Sequence, residues 1–272
     1  MKVIILTAGE GVRLRPLTET QPKGMLPLAN RPILEHIVMQ CALAGLKDFT
    51  FVVGYQAQTI EDYFQDGALW GVHIGYASQR KQLGTAHALN SLPERERDRF
   101  LVINGDSLLK ASDIGRIAVS EDIAMGVIEH SNPRHLGVVE TQGERVVRIL
   151  EKVERPPSNL ANAGLYLFTP DIFDAVARTP KSSRGEYELT DSLQMLIDEG
   201  KTVRCVHLSY WKDLSYPWDL LEANESLMKE MESQNLGVVE AGATIKGAVS
   251  IGKNSLVRAG AYIVGPVIIG AN

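Results

Sequence analysis

Short apolar runs rich in β-branched residues alternate, over the first hundred positions, with stretches whose apolar residues recur every three to four positions. Residues 3–6 form the first run and read as a buried strand. Pro32 then opens a helical pattern through Ile33, Leu34, Ile37, Val38, Cys41 and Ala42, with Gly45 placed to cap it. Residues 49–53 predict a second strand and 56–64 an amphipathic helix. Residues 72–77 predict a third strand, 84–92 a helix, and 99–106 a fourth strand ending on Asp106. This order predicts an α/β fold with a mostly parallel sheet covered on both faces. Ligands of such sheets lie beyond the carboxyl ends of the strands, where residues 9–23 and Asn104-Gly105-Asp106 both fall.

The middle of the chain is less regular. Residues 123–130, 137–140, 145–150 and 164–168 are strand-like, and a helix over 189–199 precedes another strand at 202–208. Mixed additions of this kind build the substrate side of a pocket. Residues 217–233 are helical, with Leu220, Leu221, Asn224, Leu227, Met228 and Met231 at three-to-four spacing.

The pattern changes after Gly237. Val239, Ile245, Ile251, Val257, Ile263 and Ile269 recur every six residues, with Gly, Ala and Pro between them. A six-residue apolar period is the signature of a parallel β-helix. The expected division is therefore a domain over 1–233 and a partial, apparently truncated hexapeptide β-helix over 234–272. A β-helix coil exposes strand edges until further coils or a cap cover it. The expectation is that the natural polypeptide continues past Asn272, or that a partner chain covers the end.

Composition narrows the function classes. Of 272 residues 44% are hydrophobic, enough for a sizeable core, and 28 Lys+Arg against 33 Asp+Glu give a net charge of −5. A mildly acidic chain argues against a broad nucleic-acid surface, though a phosphate pocket needs only a few local cations. Cys41 and Cys205 lack metal or redox spacing and read as reduced, buried thiols. The six histidines form no cluster, which argues against zinc. No apolar run reaches the length of a membrane span. The expectation is a soluble cytoplasmic protein with no nucleic-acid or membrane partner.

The chemistry concentrates in "AGEGVRLRPLTETQPKGMLPL", directly after the first strand. A glycine-rich turn there brings backbone N–H groups close to a phosphate chain. Gly9 and Gly11 fit the first two positions of the dinucleotide fingerprint, but Leu14 occupies the third, which counts against a dehydrogenase. No Gly-Lys-Ser/Thr follows, so the Walker pattern fails too. Arg13 and Lys23 beside such a loop suit a triphosphate under attack, where cations neutralise charge developing on the phosphoryl oxygens.

This stretch resembles the opening motif of the sugar-1-phosphate nucleotidylyltransferases, the NDP-sugar pyrophosphorylases. The likeness continues in order through "VGYQAQTIEDYF", "QLGTAHAL", "NGD", the Glu151-Lys152 pair, "NAG" at 162–164, "GEYELTD" at 185–191 and "WKD" at 211–213. It implies a Rossmann-like, mostly parallel nucleotidyltransferase domain followed by the beginning of a left-handed parallel β-helix, as in long-chain archaeal and bacterial members. It also implies the reaction, in which a sugar 1-phosphate attacks the α-phosphorus of a nucleoside triphosphate and pyrophosphate leaves.

The same resemblance implies roles for particular residues. The backbone of Ala8, Gly9 and Gly11 would line the nucleotide. Arg13 would stabilise the triphosphate and the leaving pyrophosphate, and Lys23 would bridge the α-phosphate and the sugar phosphate. Gln79, with Gly84 and Thr85, would read the base. Asp106 and Asp213 would hold Mg²⁺, which favours one or two carboxylates together with phosphate oxygens and water. Gly137, Glu151 and Asn162 would bind sugar hydroxyls, and Lys152 the sugar phosphate. Asp213 departs from the usual WxDxGT pattern, since Leu214-Ser215-Tyr216-Pro217 follows it. Thr7 and Val12 depart mildly from the family's usual residues. Glu186 and Asp191 read as helix-start acids.

The resemblance leaves the nucleotide as dTTP or UTP, with glucose 1-phosphate the foremost sugar. A second reading is the N-acetylglucosamine-1-phosphate uridylyltransferase part of a bifunctional uridylyl- and acetyltransferase. With fewer than two three-repeat coils between Val239 and Asn272, acetyl transfer is not expected of this chain. A third reading is a catalytically silent regulatory or binding protein on the same fold. A homo-oligomer is expected, as a dimer or a trimer.

Overall fold

A computed structural model describes residues 1–272. The chain forms two compact units, one of residues 1–26 and 33–215, the other of residues 27–32 and 216–272.

The first unit begins with β1 (Lys2–Leu6), α1 (Ile33–Leu43), β2 (Asp48–Val53), α2 (Ala57–Phe64), β3 (His73–Ser78), α3 (Thr85–Asn90) and β4 (Phe100–Asn104). It continues with β5 (Ser107–Leu109), α4 (Ala111–Ala118), β6 (Ile123–Glu129), β7 (Gly137–Gln142), β8 (Arg145–Glu151) and β9 (Leu160–Phe168). It ends with α5 (Ile172–Arg178), α6 (Leu189–Asp198), β10 (Val203–His207) and β11 (Trp211–Asp213). Nine strands form one sheet in the order β3-β2-β1-β4-β9-β6-β10-β8-β7.

The first four strands pair in parallel. The apolar runs of β1 and β4 are near-continuous because both faces are covered there, while the edge strand β3 is only partly buried. Val3, Ile4 and Ile5 of β1 and Phe100 to Ile103 of β4 are wholly buried. Packed against one face lie Leu89 of α3, Phe173 of α5 and Leu193 of α6.

Beyond β4 the expected mostly parallel pattern gives way to a mixed sheet. β9 runs antiparallel to β4 and β6, and β8 runs antiparallel to β10 and β7; only β6 and β10 pair in parallel. The link between β7 and β8 is a short turn through Gly143, at φ +62°. Such a link permits only antiparallel pairing, since a parallel return needs a crossover of a dozen residues or more. A small second ribbon pairs β5 with β11, setting Ser107 opposite Asp213. Both cysteines are free and buried.

In the second unit, α7 (Pro217–Lys229) starts on a proline, whose missing N–H costs nothing in a first helical turn. Residues 27–32 form a two-stranded hairpin, so Pro32 closes a strand and α1 opens one residue later than its pattern implies. The hairpin's Ala29 N–H donates to Asn224 Oδ1 of α7 at 2.6 Å. Three short parallel sheets follow. Val238 pairs with Leu256, Thr244 with Tyr262 and Val249 with Val267, each eighteen residues apart. Val249, Ile251 and Val257 are buried inside, with Ile263 and Ile269 packed on them. This compact unit begins one helix before the change of period at 234. No helix of the chain is long and apolar enough to cross a membrane.

Candidate active site

The opening loop is anchored at its base by the sheet. Thr7 N–H donates to Val52 O at 2.9 Å and Tyr55 N–H to Ala8 O at 3.0 Å, continuing the β1–β2 ladder past its end. Gly11 turns the chain with φ +70° into a short helical turn, Val12–Leu14, whose Leu14 is wholly buried. Thr18 Oγ1 donates to Gly11 O at 3.0 Å and holds the turn. A Cβ on Gly11 would lie 2.9 Å from Lys23 Cβ. The glycine therefore serves both the positive φ and the close approach of Lys23.

Lys23 begins a second turn, Lys23–Met25, buried through Gly24 and Met25. Its Nζ reaches Asp106 Oδ2 at 2.7 Å. Asp106 follows β4, where Gly105 N–H donates to Leu6 O at 2.9 Å. From the other side β11 brings in Asp213, and Leu214 N–H donates to Asp106 O at 3.1 Å. The β5–β11 ribbon thus sets two carboxylate residues side by side at the end of β4.

Two adjoining cavities open here. The larger, about 590 Å³, is lined by Ala8, Gly9, Gly11, Arg13, Lys23, Gln79, Gly84, Thr85, Asp106 and Lys152. The smaller, about 180 Å³, is lined by Gly137, Glu151, Asn162 and Asp213, and shares Arg13, Thr85, Asp106 and Lys152 with the first. Every residue to which the resemblance gave a binding, catalytic or metal role borders one or both.

The two aspartates are driven apart electrostatically. Burial pushes the Asp106 carboxyl up, but the charge and hydrogen bond of Lys23 and the charge of Arg13 together hold it below the ordinary range. Burial and the Asp106 charge push Asp213 up, against a hydrogen bond from Ser215 and the pull of Lys23 and Arg13. Like charges sharing a site behave in this way, one ionising readily and the other reluctantly. Two hard carboxylates beside a polar cavity are the donor set that Mg²⁺ accepts, with the remaining positions left to phosphate and water.

The model of the nucleotidyl transferase family matches residues 2–230. The chain belongs to the nucleotidyl transferase family. It is 39% identical over 261 residues to the bifunctional protein GlmU of Methanococcus maripaludis, covering 94% of this chain and 62% of that one. The chain thus spans about three fifths of the length of that relative. It is 37% identical over 240 residues to UTP–glucose-1-phosphate uridylyltransferase AglF of Haloferax volcanii, covering 85% and 98% of the two chains. A crystal structure from Bacillus anthracis, provisionally assigned as a glucose-1-phosphate thymidylyltransferase and solved with sucrose, superposes with a TM-score of 0.77 at 26% identity. That match covers 86% of this chain and 98% of the other.

The walls of the smaller cavity are tightly set. Gly164, at φ +66°, marks a break in the register of β9, and a Cβ there would fall 2.4 Å from Asn104 Nδ2. Asn162 donates through Nδ2 to the Tyr166 hydroxyl at 2.6 Å and accepts through Oδ1 from Gly164 N–H at 3.0 Å. Glu151 Oε1 accepts from Thr190 Oγ1 at 3.0 Å. A Cβ on Gly137 would lie 2.9 Å from that same Oε1. Lys152 holds a positive φ of +47°, uncommon for a side-chain-bearing residue, while its N–H donates to Leu136 O at 3.2 Å. Strained backbone of this kind concentrates at functional sites.

The sequence reading missed one cation that borders this candidate site. Arg184 borders both cavities and lies 3.1 Å from Glu188 Oε1, 3.7 Å from Glu186 and 3.8 Å from Glu151. The available signal was an Arg directly before Gly185, one residue ahead of the motif that drew attention. Glu186 also borders both cavities and lies three residues ahead of α6. Glu188 stands just before α6, with its carboxyl pushed up mainly by burial and held down in part by Arg184.

Proposed function

We propose that this chain transfers a nucleotidyl group from dTTP or UTP to a sugar 1-phosphate, foremost glucose 1-phosphate, releasing pyrophosphate. The observation that carries this reading is the wall shared by the two cavities. Arg13, Asp106 and Lys152 border both, and Lys23 is bonded to Asp106.

The larger cavity would take the triphosphate, with its phosphates along residues 8–11 and its base toward Gln79. The smaller would take the sugar, with Gly137, Glu151 and Asn162 near its hydroxyls. A phosphate oxygen of the sugar 1-phosphate then attacks the α-phosphorus. That oxygen–phosphorus bond forms as the bond from the α-phosphorus to the bridging oxygen breaks, and pyrophosphate leaves with the electron pair. The attacking phosphate is already ionised, so no general base is needed. The protein's contribution is to align the reactants and neutralise charge with Arg13, Lys23 and Lys152. Asp106 and Asp213 would hold Mg²⁺, which supplies further neutralisation of phosphate charge when bound.

The second unit supports a variant of this reading. We read residues 234–272 as the beginning of a hexapeptide left-handed β-helix, on the eighteen-residue pairing of its strands. Together with the likeness to the archaeal GlmU protein, that makes N-acetylglucosamine 1-phosphate with UTP the alternative pair of substrates.

The test is pyrophosphate release with Mg²⁺ across dTTP, UTP, CTP, GTP and ATP. Each is combined with glucose 1-phosphate, glucosamine 1-phosphate, N-acetylglucosamine 1-phosphate and mannose 1-phosphate. Release that requires both substrates is expected with dTTP or UTP. Silence from a folded, nucleotide-binding sample would favour the regulatory reading.

A further inference from the structure

We infer that His87 is a positioning residue that fixes the polarity of the Gln79 amide, so that this amide offers a base an acceptor and not a donor. The inference rests on the nucleotidyl-transfer reading of that cavity and adds a cause for its choice of base.

Gln79 follows β3 and is 3% exposed. Its backbone N–H donates to Val53 O at 2.8 Å. One end of its side-chain amide lies 3.0 Å from Gly84 O. A backbone carbonyl only accepts, so that end is the NH₂ and the other is the oxygen. The same nitrogen lies 3.0 Å from Nδ1 of His87. An NH₂ group has two hydrogens; one goes to Gly84 O and the second to Nδ1. Nδ1 must then present its lone pair, and the His87 proton resides on Nε2. Both donors of the amide are spent inside the protein. Oε1 is the amide atom left for a ligand, in a residue that lines the cavity.

His87 is itself held in place. Its ring stacks on Tyr187, with centroids 6.4 Å apart and planes 26° apart. Tyr187 in turn exchanges backbone bonds with the start of α3, accepting from Ala86 N–H at 2.8 Å and donating to Leu83 O at 2.8 Å. The carrier of the amide and the residue that orients it are thus fixed to the same short stretch, 83–87.

The chemical consequence is selection among pyrimidines. Uracil and thymine present an N3–H donor, which Oε1 accepts. Cytosine presents a bare N3, which would set lone pair against lone pair. A free glutamine amide could pair with both a carbonyl and the N–H of the base. The hydrogen-bond count restricts it to the N–H. The neighbouring carbonyls of the base must be read by other groups.

Equilibrium binding of UTP, dTTP and CTP to the full chain tests this, using the wild type, His87→Ala and His87→Gln. The wild type is expected to favour UTP and dTTP over CTP. His87→Ala should lose about tenfold of that ratio, on the scale of one orienting hydrogen bond. His87→Gln, whose amide oxygen can replace Nδ1 as the acceptor, should restore it. An unchanged ratio in His87→Ala would overturn the inference, as would equal weakening of all three nucleotides. Should the variants not fold, ¹⁵N spectroscopy of the wild-type imidazole decides the point. A proton on Nε2 is expected, and a proton on Nδ1 would overturn the inference. If the wild type binds none of the three nucleotides, the nucleotidyl-transfer reading fails and this inference falls with it. Selective wild-type binding with no change in His87→Ala overturns the inference alone.

Discussion

The ammonium of Lys23 lies 2.7 Å from Oδ2 of Asp106, joining residues 83 positions apart. One end of that bond comes from the loop after β1 and the other from the end of β4. The Lys23 side chain is 11% exposed and that of Asp106 36%. The pair therefore stands at the edge of the cavity, where an incoming phosphate would compete with Asp106 for the ammonium.

This pairing makes stability depend on acid. Lys23 and Arg13 hold the Asp106 carboxyl low in the folded protein against the effect of burial. Its ionised form contributes stability above the ordinary carboxylate range, near pH 4, and that contribution is lost as pH falls through the lowered value. Urea midpoints of the wild type should therefore drop in strong acid. Lys23→Met should be less stable at neutral pH and show a smaller drop. Parallel profiles for the two proteins would remove Lys23 as the cause.

Asp213 carries the opposite sign. Burial and the Asp106 charge raise its carboxyl. Its contribution to stability is present below the ordinary range and is lost as pH rises through the raised value. A bound cation favours the ionised form, so Mg²⁺ should raise the thermal midpoint more at pH 8 than at pH 5. Asp213→Asn should remove most of that difference. A midpoint indifferent to Mg²⁺ at every pH would count against the assignment of this pair to metal.

Arg13 borders both cavities. On the proposed reaction it is a preorganised charge beside the transferring phosphates, and its replacement by Ala should lower kcat by about 10²–10³. Steady-state turnover within twofold of wild type would take Arg13 out of the mechanism.

Two glycines of the larger cavity should respond differently to Ala. Gly84 sits at φ +112°, and a Cβ there would lie 2.4 Å from Tyr187 O. Gly84→Ala should cost roughly 2 kcal/mol or more of folding stability, through strain and displacement of that backbone. A Cβ on Gly9 meets nothing within 4 Å. Gly9→Ala should stay within about 0.5 kcal/mol of wild type. Denaturant midpoints of the two variants check the contrast.

The first four strands were legible because each is a short, largely apolar run followed by a helix or a loop, near-continuous in β1 and β4. That is how a parallel sheet covered on both faces writes itself into a chain. The insertion of β9 between β4 and β6 was not legible, since strand order is set by long-range packing and leaves no local mark. β5 and β11 have three residues each, too few to show a period, yet their pairing brings Asp213 to Asp106. α4 and α5 also went unread, although α2, as long as α4, and the shorter α3 were legible, so length alone does not account for the difference. The site residues were legible where glycines and cations cluster in one motif. Arg184 was not, because its importance comes from where α6 begins in space.

The most direct measurement is the stereochemical course at the α-phosphorus, using one diastereomer of an α-phosphorothioate of dTTP or UTP with glucose 1-phosphate. One displacement across the wall between the two cavities inverts that centre, and inversion in the nucleotide-sugar product is the expected result. Retention would require two displacements and a covalent nucleotidyl-enzyme, and would contradict direct transfer between the two cavities.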